Sequence, residues 1–187
     1  MGRLVFVTGN PGKAREVSHV LEEYGVALEV VAADLPERRG DRVEEIARDK
    51  ALAASQILGR PLIVEDTGLF LEAYPDFPGP LSKWVVQRIG IAGVLRLLEG
   101  RSREAHFRSA LAYLEPAGRP QVFSGVAAGT LRSDPARAGE ASLPYDPVFA
   151  PSEGDGRVYS EMELDEKLAL SSRGRAARAF AEWWLRR

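Results

Sequence analysis

Two short segments carry side chains suited to phosphate chemistry. Thr8-Gly9-Asn10-Pro11-Gly12-Lys13 follows an apolar run, Leu4 to Thr8, and precedes a helical pattern. A strand-to-helix turn aims backbone N–H groups and a helix N-terminus at one spot, which favours an anion. Lys13 opens that helix, where its charge opposes the helix dipole and calls for a compensating anion. The loop is not a Walker A motif, because Ala14 stands where Ser or Thr would hold magnesium. Glu65-Asp66-Thr67-Gly68 follows the apolar run Leu62-Ile63-Val64. At the carboxyl end of a parallel strand these carboxylates would face the first loop. They could hold a hard metal or orient a water. Each segment taken alone is also consistent with an ordinary solvated turn.

The basic residues are distributed unevenly. Of 25 Lys and Arg only four are lysine: Lys13, Lys50, Lys83 and Lys167. Guanidinium is a planar fork, whereas ammonium is a compact point charge suited to one phosphate oxygen. In a chain that otherwise uses Arg, the lysines mark positions where Arg would not serve. A net charge of -2 gives no electrostatic grip on a nucleic-acid polymer. The chain has no cysteine, so disulfides and thiolate-bound metals are excluded. No stretch approaches the roughly 18 apolar residues of a membrane span. The expected setting is the cytoplasm.

The elements that must position these residues follow from periodicity. Strands are expected at Leu4–Thr8, Leu28–Val31 and Leu62–Val64, the last ending on Glu65-Asp66-Thr67-Gly68. Helices are expected from Lys13 to Tyr24 and from Val43 to Leu58, closed by Gly25 and Gly59. This alternation argues for parallel pairing. Ala105–Leu114 and Gln121–Leu131, joined across Glu115 to Pro120, read as an antiparallel pair, so the sheet is mixed. Ser133–Pro144 reads as a long loop, and Leu164–Leu170 and Arg173–Leu185 as C-terminal helices. Pro78-Gly79-Pro80 leads into a helix that begins near Lys83-Trp84. Trp183-Trp184 reads as core or interface. No linker divides residues 1–187, so one domain is expected.

Together these segments resemble the inosine triphosphate pyrophosphatase family, which clears non-canonical purine nucleoside triphosphates. The resemblance runs from Thr8 to Arg178 in five ordered blocks. It rests on Thr8-Gly9-Asn10 with Lys13, Val64 to Leu69, Phe77-Pro78-Gly79-Pro80 with Lys83-Trp84, Tyr145-Asp146-Pro147, and Lys167 with Ser171 and Arg173. It implies an elongated mixed α/β sheet with flanking helices, two lobes around a central substrate cleft, and a homodimer. It implies Asp66 as the catalytic carboxylate that binds Mg²⁺, with Glu37 as a second metal carboxylate. Thr8, Asn10, Lys13, Thr67 and Lys83 would hold phosphates, and Lys50 is a further substrate position. Tyr145, Asp146, Lys167, Ser172 and Arg173 would line the sugar and base pocket. Water would attack the α-phosphorus of a triphosphate such as ITP, dITP or XTP, releasing pyrophosphate. Two positions depart from the family pattern: Leu143-Pro144 replaces Phe-Gly, and Ser172 replaces His. Both family side chains contact the base. A non-catalytic nucleotide-binding protein, a phosphatase acting on the γ-phosphate, or a pyrophosphatase of altered base preference are the alternatives.

Overall fold

The computed structural model describes residues 4–33, 35, 40–140 and 142–187. Among these, β1 (Leu4–Val7), α1 (Pro11–Glu23), β2 (Leu28–Val31), α2 (Val43–Leu58) and β3 (Leu62–Leu71) form the first part. They are followed by the two-residue β4 (Pro78–Gly79), α3 (Ser82–Leu97), β5 (Glu104–Leu114), β6 (Gln121–Leu131) and β7 (Phe149–Pro151). A 3₁₀ turn (Tyr159–Glu161) precedes α4 (Leu164–Leu170) and α5 (Ser172–Leu185). The sheet order is β2-β1-β3-β5-β6-β7, with β4 paired to β3. β1 runs parallel to β2 and β3, and the remaining pairs are antiparallel. The mixed α/β sheet expected from the sequence is the one observed. The long Ser133–Pro144 segment carries no helix or strand among the described residues.

One expectation is corrected. β3 does not stop before Glu65; it continues to Leu71. The cause is β5, which pairs with it along its whole length, from Leu62 opposite Leu114 to Leu71 opposite Ala105. β1 matches β3 only at Leu62 and Ile63. Glu65-Asp66-Thr67 therefore lies in mid-strand, on the step where β1 has ended and β3 continues. These carboxylates are held by a ladder on one side and are open on the side that β1 vacates.

Strand alternation sorts the side chains. Leu62 and Val64 join Val5, Val7, Val43, Ala47, Ala51 and Ala54 in a core under α2. Ile63 joins Phe6, Val17, Val20, Leu21, Leu168 and Phe180 in a core on the opposite face, under α1 and α5. Further along that second face, Leu69 and Leu71 enter a separate core with Val85, Val94, Leu98, Tyr145 and Phe149, built around α3. Between Ile63 and Leu69 the same face presents Glu65 and Thr67. The polar residues thus occupy the gap between two apolar cores on one side of the sheet. Trp183 and Trp184 pack against the first of these cores.

Close approach of α5 to the sheet depends on Gly125 in β6. A Cβ there would overlap the carbonyl oxygen of Ser172 and come within 2.8 Å of the Ala176 nitrogen. Backbone atoms cannot rotate away as a side chain can. Gly125→Ala is therefore expected to lower stability by ~1–3 kcal/mol, the range for overpacking a filled site, despite the better strand propensity of Ala. A thermal midpoint equal to that of the unmodified protein would show that α5 does not rest on β6 in this way.

Candidate active site

Asn10 organises the start of α1. Its Oδ1 accepts from the backbone N–H groups of Gly12 (2.9 Å) and Lys13 (3.1 Å), and its own N–H donates to Thr8 Oγ1 (3.2 Å). Pro11 at the first helical turn needs no N–H partner. The cap orients Lys13, but it also occupies amides that the sequence reading assigned to an anion. The Gly12 and Lys13 amides are thus already engaged.

Lys13 Nζ lies 2.7 Å from Glu65 Oε2. That oxygen is nonetheless buried without a well-directed hydrogen bond, so the contact is an ion pair of imperfect geometry. Glu65 Oε1 accepts from Arg173 Nε (3.1 Å) and from the Thr67 hydroxyl. Arg173 also pairs with Glu16 Oε2. Glu16 Oε1 is 2.6 Å from Lys167 Nζ, which is 2.5 Å from Asp146 Oδ2. Asp146 Oδ2 accepts from the Leu143 N–H (2.7 Å). On the other face of the sheet, Lys50 Nζ from α2 lies 2.5 Å from Asp66 Oδ1. The cluster holds four cations, Lys13, Lys50, Lys167 and Arg173, against four carboxylates, Glu16, Glu65, Asp66 and Asp146.

Burial and pairing move these carboxylates in opposite directions. Burial opposes the charge of Glu65, but Arg173 and Lys13 outweigh it and bring its pKa down to about 2. Glu16 is lowered in the same way by Arg173 and Lys167 against its burial. For Asp66 burial prevails: Lys13 and Lys50 offset only part of it, Glu65 adds repulsion, and its pKa is raised. Burial likewise raises Asp146 despite Lys167. Neighbours on one strand thus differ in kind: Glu65 is a permanent counter-charge, whereas Asp66 is a stronger base than an ordinary aspartate.

Asp66 suits a hard divalent cation. It is a buried oxygen donor, and among the described residues no hydrogen-bond donor reaches its Oδ2. Mg²⁺ binds through one or two carboxylates together with substrate phosphates. Glu37, the second carboxylate in the expected set, lies outside the described residues. Another group with ligand spacing, His19, Glu23 and Asp165, sits half-buried to exposed at the ends of α1 and α4 and shares no residue with this cluster.

The structure brings Lys13, Lys50, Thr67, Asp66, Asp146, Lys167 and Arg173 into one connected region. Tyr145 is buried, and its hydroxyl donates to the Ser82 carbonyl (2.8 Å), tying the 145–146 turn to the start of α3. Lys83 follows Ser82, exposed, and no ion pair to it occurs among the described residues. Ser172 is buried and its hydroxyl turns inward, 2.8 Å from Ser109 Oγ. Leu143 lies over the first turn of α1: a Cβ on Gly12 would be 2.7 Å from Leu143 Cδ2.

Residues 4–183 match the sequence profile of the Ham1 family. The chain is similar to the dITP/XTP pyrophosphatase of Methanopyrus kandleri, at 44% identity over 183 residues, covering 97% of this chain and 96% of that one. It is 41% identical over 175 residues to inosine triphosphate pyrophosphatase 2 of Trypanosoma cruzi, covering 93% and 88% respectively. The chain belongs to the Ham1 family. Its fold also resembles that of a HAM1 protein from Coxiella burnetii, with a TM-score of 0.81 at 25% identity and full coverage of both chains. Membership bears out the resemblance read from Thr8 to Arg178.

Two residues that the motifs do not single out, Glu16 and Ser109, also join this cluster. Glu16 lies one residue before Val17 and four before Val20, so it falls on the buried stripe of α1, where an unpaired carboxylate would be costly. That placement was the available signal. Ser109, fully buried in β5, gave no comparable cue.

The low pKa of Glu65 has a consequence for acid stability. In the folded state it falls from the ordinary 4.5 to about 2, so between these values the unfolded chain binds more protons. The contribution of Glu65 is complete above pH 4.5 and is lost as pH falls through about 2. Glu65→Gln is expected to cost ~3 kcal/mol at pH 7, since Lys13 and Arg173 lose their counter-charge. The deficit should shrink as pH approaches 2. Urea midpoints recorded at pH 7 and pH 3 test this; a deficit of equal size at both would assign the loss to packing.

Proposed function

We propose that this protein hydrolyses non-canonical purine nucleoside triphosphates to the monophosphate and pyrophosphate. The observation that carries the reading is the meeting of Lys13, Lys50 and Arg173 with Glu65 and Asp66 on the step where β1 ends. The dITP/XTP and inosine triphosphate pyrophosphatases among its relatives support the substrate class.

In this reading Lys13 leaves Glu65 for the phosphates. Arg173 stays against Glu65, so the exchange does not leave that carboxylate without a counter-charge. Lys50 makes the same exchange at Asp66, freeing that carboxylate to orient water and receive its proton. The raised pKa of Asp66 makes it a better proton acceptor than a solvated aspartate. The Asn10 side-chain amide retains its Nδ2 donors for a phosphate oxygen while Oδ1 holds the helix, and Lys83 reaches the chain from α3. Asp66, with Glu37, would hold Mg²⁺, which supplies neutralisation of the triphosphate and acidification of a bound water. The water attacks the α-phosphorus and the β- and γ-phosphates leave together, with the lysines stabilising the developing charge. Tyr145, Asp146 and Lys167 line the sugar and base side, beneath Leu143. The single seven-stranded sheet supports one domain over the whole chain. The exposed Trp84 and Leu81 at the start of α3 are compatible with a homodimer.

Asp66→Asn is expected to lower turnover at least ~10²-fold, because the amide cannot accept the proton or hold the metal. Its thermal midpoint should not fall, since the buried charge it removes is unfavourable at neutral pH. Pyrophosphate release with Mg²⁺ and ITP measures the first effect. More than a tenth of the original rate would reject Asp66 as the catalytic carboxylate. Release of inorganic phosphate in place of pyrophosphate would point to γ-phosphate hydrolysis, and binding without release to a non-catalytic nucleotide-binding protein.

Base discrimination should be narrowed. Leu143 offers no ring to stack on a purine, and stacking is worth ~1–3 kcal/mol. The Ser172 hydroxyl is engaged with Ser109. Arg173 remains, so ITP or XTP should still be preferred over ATP, with a kcat/KM ratio below ~10³. A triphosphate panel reads this directly, and a larger ratio would mean that residues other than 143 and 172 read the base.

A further inference from the structure

Thr67, Ser109 and Gly125 lie opposite one another across β3, β5 and β6. Because Gly125 has no side chain, the first turn of α5 rests on the strand backbone. Ser172 Oγ comes within 2.8 Å of Ser109 Oγ, and Ser109 Oγ is 2.7 Å from Thr67 Oγ1. Thr67 in turn donates to Glu65. Three hydroxyls, two of them buried and that of Thr67 partly so, therefore form a chain from the start of α5 to the carboxylate that pairs with Lys13.

The direction of the protons follows from the donor inventory. Glu65, held between Lys13 and Arg173, is ionised and can only accept. Thr67 spends its single proton on Glu65, and its oxygen also faces Arg173 Nη2 at 3.3 Å. A hydroxyl has one proton, so Ser109 must donate to Thr67, and Ser172 must donate to Ser109. The chain is polarised toward the phosphate side of the site.

We propose that Ser109 is a positioning residue for the triphosphate: by donating to Thr67 it occupies a lone pair of that hydroxyl, so Thr67 offers its proton to the neighbouring anion. With the site empty that anion is Glu65. With a triphosphate bound, Thr67 turns the same proton to a phosphate oxygen as Lys13 leaves Glu65. The inference rests on the reading of Thr67 as a phosphate ligand. Without Ser109 the Thr67 hydroxyl can rotate and present a lone pair to the phosphate, which repels it.

The test compares Ser109→Thr with Ser109→Val, side chains of similar shape that differ in the hydroxyl. For ITP, the Val variant is expected to raise KM ~3–10-fold, the weight of one hydrogen bond, with kcat within ~3-fold of the original. The Thr variant should stay within ~2-fold in KM. Inorganic pyrophosphate as an inhibitor should weaken in parallel with KM. Equal KM values for the two variants would overturn the proposal. Should both fail to fold, Ser172→Ala at the far end of the chain carries the test: a rise in KM at constant kcat supports it, and an unchanged KM rejects it. A ligand-free check separates this inference from the proposed activity. Thermal midpoints of Ser109→Ala, Ser172→Ala and the double variant should be non-additive, as for groups in one network. If the unmodified protein hydrolyses no triphosphate, the proposed function fails; additive midpoint losses would then reject the hydroxyl chain too, and non-additive losses would retain it.

Discussion

Charge neutrality in a place with little water is the constraint on which this site depends. Glu65, Asp66, Glu16, Asp146, Lys167 and Arg173 are all buried, and an ion removed from water costs several kcal/mol unless it is paired. Each is paired. Arg173 bridges Glu16 and Glu65, and Lys167 bridges Glu16 and Asp146. The bridging fixes α1, α4 and α5 relative to β3 through ions as well as through packing. Removing Glu16, Lys167 or Arg173 exposes its neighbours to an uncompensated charge, so these bridges stand or fall largely as a unit, whereas Asp66 pairs with Lys50 outside them.

β3 makes that arrangement possible because it serves two sheets in one. Its first residues pair with β1 in the parallel part, and its whole length pairs with β5 in the antiparallel part. The strand is thus rigid where β1 no longer covers it. Alternation then sends Glu65 and Thr67 toward α1 and α5, and Asp66 toward Lys50 on α2. A flexible turn could not hold adjacent carboxylates to opposite faces with such different environments.

Much of this was legible in the sequence. β2, α2, β6 and α4 have the expected bounds, because each is a periodic run closed by clear turn or cap signals. The length of β3 was not legible, since Glu65-Asp66-Thr67-Gly68 has poor strand propensity and only the distant β5 keeps it extended. The lysine economy singled out Lys13, Lys50 and Lys167, each of which meets a buried carboxylate. It could not reveal that their empty-state partners are carboxylates, because those contacts join residues far apart in the chain. Glu16 was visible as a charge on an apolar stripe. Ser109 was not, because a serine in a strand carries no sign of what lies above it. Ser172 illustrates the same limit: the resemblance implied a side chain turned to the base, but its hydroxyl meets Ser109 where α5 seats closely on Gly125.

The cap made by Asn10 has a bearing on which solutes the empty site can ignore. Because that side chain already takes up the Gly12 and Lys13 amides, those two donors do not wait for a passing anion. Lys13, Lys50, Lys167 and Arg173 are each held against a carboxylate. A lone phosphate or sulfate ion would have to separate several ion pairs while replacing few of them. Under the proposed function, a triphosphate would replace them together. On that reading the threshold for opening these ion pairs is set by how many charges arrive at once.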